Sequence, residues 1–123
     1  SYDIRAAVMH HAYSHSYPAP SIPFIAFTGT LDFTAPPKMA ESFFNAPVAN
    51  PKRGLVNRMH TNHHEPDITS YNNLLPQFTV AWLKLYLDDK NTGDFDYHSL
   101  IYGNGTDSLC GGGDDEMKQC VVY

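Results

Sequence analysis

A chain of 123 residues with a formal charge of −5 holds about one domain. It lacks the basic stripe of a binder of nucleic acid or of anionic membrane surfaces. Apolar residues make up 42% and aromatics 13%, which excludes low-complexity disorder. No apolar run approaches the roughly 20 residues that span a bilayer.

In chain order, Arg5 to Met9 is a short apolar run of strand character, followed by a His-, Ser-, Tyr- and Pro-rich loop from His10 to Pro20. Ile22-Pro23-Phe24-Ile25-Ala26-Phe27-Thr28-Gly29 is a continuous apolar run ended by glycine. Such runs suit a strand covered on both faces, as in a parallel sheet. After a loop over Thr30 to Pro37, the segment Lys38 to Asn45 makes about two helical turns, with proline at its start. Gly54 to Met59 reads as another strand, and His60 to Thr69 as a polar loop. Leu74, Leu75, Phe78, Ala81, Trp82, Leu85 and Tyr86 recur at helical spacing. The spacing predicts an amphipathic helix capped near Asn72 or Asn73 and ending between Asp88 and Gly93. Residues 91–123 read as an extended tail, with Asp94-Phe95-Asp96 and Asp114-Asp115 as solvated acids.

Strands alternating with helices imply an α/β fold, here about three parallel strands with crossover helices. Three strands are few for a sheet that must be covered on both faces. The sequence therefore reads as the edge part of one larger domain, residues 1–90 supplying sheet and helices. It opens with Ser-Tyr-Asp, without initiator Met or signal peptide, as expected of a processed, excised or partial chain.

Cys110 and Cys120 flank the Gly111-Gly112-Gly113 run. They lack metal-site spacing, which leaves a disulfide closing the tail or two free thiols. A disulfide implies an oxidising compartment. Asn104-Gly105-Thr106 is a glycosylation acceptor triplet that fits the same compartment.

Asp32 lies in the loop after the long apolar strand, and His63 in the loop after the following one. Catalytic groups in open α/β sheets collect at the carboxyl ends of the strands. An Asp there can fix the tautomer of a neighbouring His, whose other nitrogen then takes a proton from a nucleophile. The rival is a metal site. His10, His11 and His15 form one histidine group, and His60, His63, His64 and Glu65 another. Imidazoles bind transition metals readily, but adjacent histidines on a loop have no fixed geometry, and no metal is expected.

Gly29-Thr30-Leu31-Asp32, Thr61-Asn62-His63-His64-Glu65-Pro66, Ala81-Trp82-Leu83-Lys84 and the two tail cysteines occur in one order. That order resembles the C-terminal part of α/β-hydrolases, above all the cutinase-like polyester hydrolases and their dienelactone-hydrolase-like and chlorophyllase-like relatives. There a strand ending Gly-x-x-Asp supplies the triad acid, and Gly-x-x-His-Phe-x-Pro supplies the histidine. A helix reading Ala-Trp-Leu-Lys then leads to a disulfide-closed tail. The resemblance implies a secreted serine esterase acting on carboxylic esters without a cofactor, with Asp32 as orienting acid and His63 as base. His64 is the alternative base. It also implies that Tyr13, with His10, His11 and His15 nearby, and Phe33 line an aromatic wall of the substrate cleft.

The sequence departs from that pattern in one decisive respect. It contains no Gly-x-Ser-x-Gly nucleophile elbow. Without nucleophile and oxyanion hole this chain alone is expected to be inactive. Its expected partner is the N-terminal part of the same fold, on the same precursor or on a companion chain. The rival reading from another class is a non-catalytic structural or binding subunit derived from the same fold; a histidine-rich metal-binding domain is a third.

Overall fold

The computed structural model describes residues 2–14, 18–47, 49–67, 74–88, 95–111 and 117–123. Elements run β1 (Ala7–His10), β2 (Phe24–Gly29), α1 (Pro37–Phe44), β3 (Arg53–Arg58), a 3-10 turn (Glu65–Asp67), α2 (Leu74–Leu87), α3 (Tyr97–Tyr102) and β4 (Met117–Val122). They form one four-stranded sheet in the order β1-β2-β3-β4. The first three strands are parallel, with Ala7 opposite Phe24 and Phe24 opposite Arg53, and β4 runs antiparallel to β3.

The alternation of side chains across β2 and β3 divides the core in two. Ile25, Phe27 and Val56 face α2 and α3, where they pack with Phe78, Ala81, Trp82, Leu100 and Ile101. Phe24, Ala26 and Leu55 face α1 and pack with Ala40, Phe43 and Phe44. Helices on both faces explain why β2 is buried along its whole length and reads as an unbroken apolar run rather than an alternating one. Trp82 is fully buried and tilts over Tyr86, ring centroids 4.6 Å apart.

The α/β character and the parallel strands agree with the sequence reading. The tail differs from it. Instead of an extended segment, residues 97–102 form a helix and residues 117–122 a fourth strand. Asp96 is exposed, as the sequence reads, and also caps α3 by accepting from the Ser99 amide at 3.0 Å. Cys110 and Cys120 form a disulfide. With Cys120 opposite Val56, the bridge ties β4 to the loop after α3. α2 ends at Leu87, one residue ahead of the expected range from Asp88 to Gly93. The expected caps Asn72 and Asn73, the acids Asp94, Asp114 and Asp115, and His15 lie outside the described residues. Among the described residues no helix is long and apolar enough to cross a membrane.

Reducing the disulfide, which spans 10 residues of sequence, is expected to lower the unfolding free energy by about 2–3 kcal/mol, the loop-closure value for a bridge of this span. Urea midpoints of oxidised and reduced chain measure it; coincident midpoints would show that β4 is held without the bridge.

Candidate functional site

Parallel strands bring their carboxyl ends to one edge, and each of the three ends there in a polar side chain of the same cluster. His11 follows β1, Asp32 follows β2, and Arg58 closes β3 ahead of the loop that carries His63 and Glu65. The two loops after β2 and β3 are stitched together. The Thr30 amide donates to the Arg58 carbonyl at 2.8 Å, and Leu31 donates to Thr61 at 2.9 Å. Gly29 is required at this seam, because a Cβ there would stand 2.1 Å from the Thr61 carbonyl oxygen.

Asp32 is almost completely buried, at 2% exposure, and its carboxylate is fully engaged. Oδ1 accepts from the amides of Thr34 at 3.0 Å and Ala35 at 2.7 Å. Oδ2 accepts from two imidazoles, His11 Nδ1 at 2.9 Å and His63 Nδ1 at 3.0 Å. His63 keeps its Nδ1 on the acid while its side chain remains 35% exposed. Among the described residues nothing hydrogen-bonds its Nε2. His64 is instead turned outward, exposed, with Nδ1 3.7 Å from Asp67.

Behind Asp32 the network continues inward. His11 is buried, and its Nε2 lies 2.8 Å from Glu65 Oε2. Glu65, also buried, takes a close ion pair from the Arg58 guanidinium on its other oxygen. The result is a buried chain, Arg58–Glu65–His11–Asp32, with His63 at its exposed end. The sequence points to Asp32 and His63; it offers Glu65 only within a histidine group as a rival metal ligand, gives Arg58 no role, and leaves His11 among loop imidazoles. The available signal was positional: His11 and Arg58 lie at the ends of predicted strands, as Asp32 does.

The charges reinforce one another. Burial alone would push the Asp32 carboxyl up, but the Ala35 amide and the two imidazoles outweigh it and hold the group below its ordinary value. Burial also pushes Glu65 up, and its hydrogen bond to His11 and the Arg58 charge bring it below the usual range. For His11 burial favours the neutral ring, yet the hydrogen bonds to Glu65 and Asp32 prevail and keep it protonated above its ordinary value.

His11, Asp32 and His63 are also the described residues whose donor atoms lie close enough together, within 4.8 Å, to share a cation. The hydrogen bonds already satisfy them: both Nδ1 atoms are spent on one carboxylate oxygen, and His11 Nε2 on Glu65. Of the expected cleft residues, Tyr13 is 53% and Phe33 85% exposed at this edge, as is neighbouring Leu31 at 44%. His10 is not in the cluster; its Nε2 meets Thr79 Oγ1 at 2.8 Å. Asn104 is exposed in the loop after α3.

Neither a protein-family model nor a curated protein matches the chain.

The network predicts a two-sided pH dependence of stability. Asp32 and Glu65 sit below their ordinary values of 3.8 and 4.5, so their contribution is present above those values and is lost as pH falls through the lower folded ones. His11 sits above 6.5, so its contribution is complete below 6.5 and fades as pH rises through the higher folded value. Urea midpoints are therefore expected to be highest between pH 4.5 and 6.5. A midpoint that stays level as pH rises from 6.5 towards about 9 would contradict the account of His11.

Proposed function

We propose that this chain carries the acid and the histidine of a Ser-His-Asp esterase, with the nucleophile contributed by residues outside this sequence. His63 takes the nucleophile's proton as general base and returns it to the leaving alcohol as general acid. Asp32 orients its imidazole and stabilises the imidazolium that forms. The reaction is acyl transfer to water through a covalent acyl-enzyme.

The observation that carries this reading is the single pose of His63. Its Nδ1 is fixed on the buried Asp32 carboxylate at 3.0 Å, and the ring is partly open to solvent on a strand-end loop. Three further features support it. The exposed Tyr13, Leu31 and Phe33 offer apolar surface beside the histidine, which suits an ester with an apolar or aromatic acyl part. In the hydrolase pattern Gly-x-x-His the glycine position falls on His60, whose φ of 58° is the left-handed conformation glycine takes without cost. The Cys110–Cys120 disulfide fits a secreted protein. The resemblance to cutinase-like polyester hydrolases narrows the substrate class to carboxylic esters, polymeric or lipidic.

In the native protein that contains this chain, a fluorophosphonate should label a serine, and short p-nitrophenyl esters should be hydrolysed. Asp32→Asn and His63→Ala should each reduce kcat by roughly 10³–10⁴-fold with KM little changed. His64→Ala should leave kcat within about twofold, since an exposed neighbour off the reaction path contributes little. No labelling, or turnover indifferent to both Asp32→Asn and His63→Ala, would overturn the proposal.

A further inference from the structure

A neutral imidazole has one N–H and one lone pair. His11 turns both ring nitrogens onto carboxylate oxygens, Nδ1 onto Asp32 at 2.9 Å and Nε2 onto Glu65 at 2.8 Å. In the neutral ring one of these contacts would set a lone pair against an anionic oxygen. A proton on a carboxyl would relieve it, but on Asp32 it would displace one of the donors Thr34, Ala35, His11 and His63, and on Glu65 it would remove the anion that pairs with the buried Arg58 guanidinium. The imidazolium keeps every hydrogen bond and the ion pair.

The charge count leads to the same state. Among the described residues, Arg58 and a protonated His11 are two cations against the two anions Glu65 and Asp32, so these four groups balance. With His11 neutral, the cluster would hold one uncompensated negative charge, which is costly to bury. The nearest group able to take up a proton against it would be His63, whose ring stands edge-on to His11 at 6.1 Å between centroids. A base kept protonated by its own acid cannot accept a proton from a nucleophile.

We infer that His11 is a positioning residue: held doubly protonated between Asp32 and Glu65, it locks the carboxylate that orients His63 and takes a share of its charge, leaving His63 free to act as a base. Its backbone is committed to this place, with φ of 49°, a left-handed conformation uncommon for a non-glycine residue. The groups around it are Asp32 from the loop after β2, Glu65 from the 3-10 turn with Arg58 of β3 behind it, His63 from the loop after β3, and His10 beside it in the chain. The outer pair His64 and Asp67 is exposed. This inference rests on His63 being the base of an esterase.

The test is to read the ¹⁵N resonances of the imidazole nitrogens of the native protein across about pH 5 to 9. Both His11 nitrogens are expected to carry protons through neutral pH. His11→Asn removes the charge but suits the left-handed backbone, and should raise the His63 midpoint by about 1–2 pH units. Glu65→Gln, should His11→Asn fail to fold, should leave His11 with a single proton at neutral pH, one anion and one cation being lost together. A His11 nitrogen bare at pH 7 in the wild type, a His63 midpoint unmoved in His11→Asn, or a His11 still doubly protonated at neutral pH in Glu65→Gln, would overturn the inference. The spectra need no turnover, so they report on His11 even where the esterase reading fails. Where esterase activity is present, the acid limb of the kcat/KM profile should move upward with the His63 midpoint in His11→Asn; a limb that stays in place contradicts the role.

Discussion

A carboxylate removed from water is destabilising unless its charge and lone pairs are met by donors, and the strand-end edge of this protein is arranged around one such group. Asp32 accepts two backbone amides on one oxygen and two imidazoles on the other. Those four donors come from the loop after β1, the loop after β2 itself and the loop after β3. The acid therefore does more than orient one histidine. It fixes three loops relative to one another, adding side-chain bonds to the few backbone bonds that stitch them at this edge.

The sheet prepares this arrangement before any side chain takes part. Parallel pairing of β1, β2 and β3 puts three carboxyl ends side by side, and the fully buried β2 at their centre sets the depth at which Asp32 lies. Gly29 lets the next loop approach within a distance no side chain would permit. Antiparallel β4, anchored by the disulfide, covers the open flank of β3. This gives the strand that ends in Arg58 neighbours on both sides and a rigid base for the Arg58–Glu65 pair.

Much of this was legible in the sequence, for physical reasons that differ by element. The run Phe24 to Gly29 announced a strand covered on both faces because no polar residue interrupts its apolar part. The stripe through Leu75, Phe78 and Trp82 announced α2 because one face of that helix is core. α3 is only Tyr97–Tyr102, too short for periodicity to show. β4 was hidden because Met117-Lys118-Gln119-Cys120 mixes polarity on a sheet edge that is only partly covered. Asp32 and His63 could be paired because each follows a recognisable strand. Glu65 and Arg58 could not, because an acid in a polar loop and a base at a strand end look solvated until the fold buries them. The meeting of His11 with both acids joins positions 21 and 54 residues apart, a juxtaposition set by topology rather than by local pattern.

The most direct measurement of the shared carboxylate is the downfield imidazole N–H proton spectrum. Three strongly deshielded N–H signals are predicted, from His11 Nδ1 and His63 Nδ1 on Asp32 and from His11 Nε2 on Glu65, and the two Nδ1 signals are displaced upfield together in Asp32→Asn. A single such signal, or a His63 proton that ignores the loss of the Asp32 charge, would contradict the account that one buried acid holds both rings.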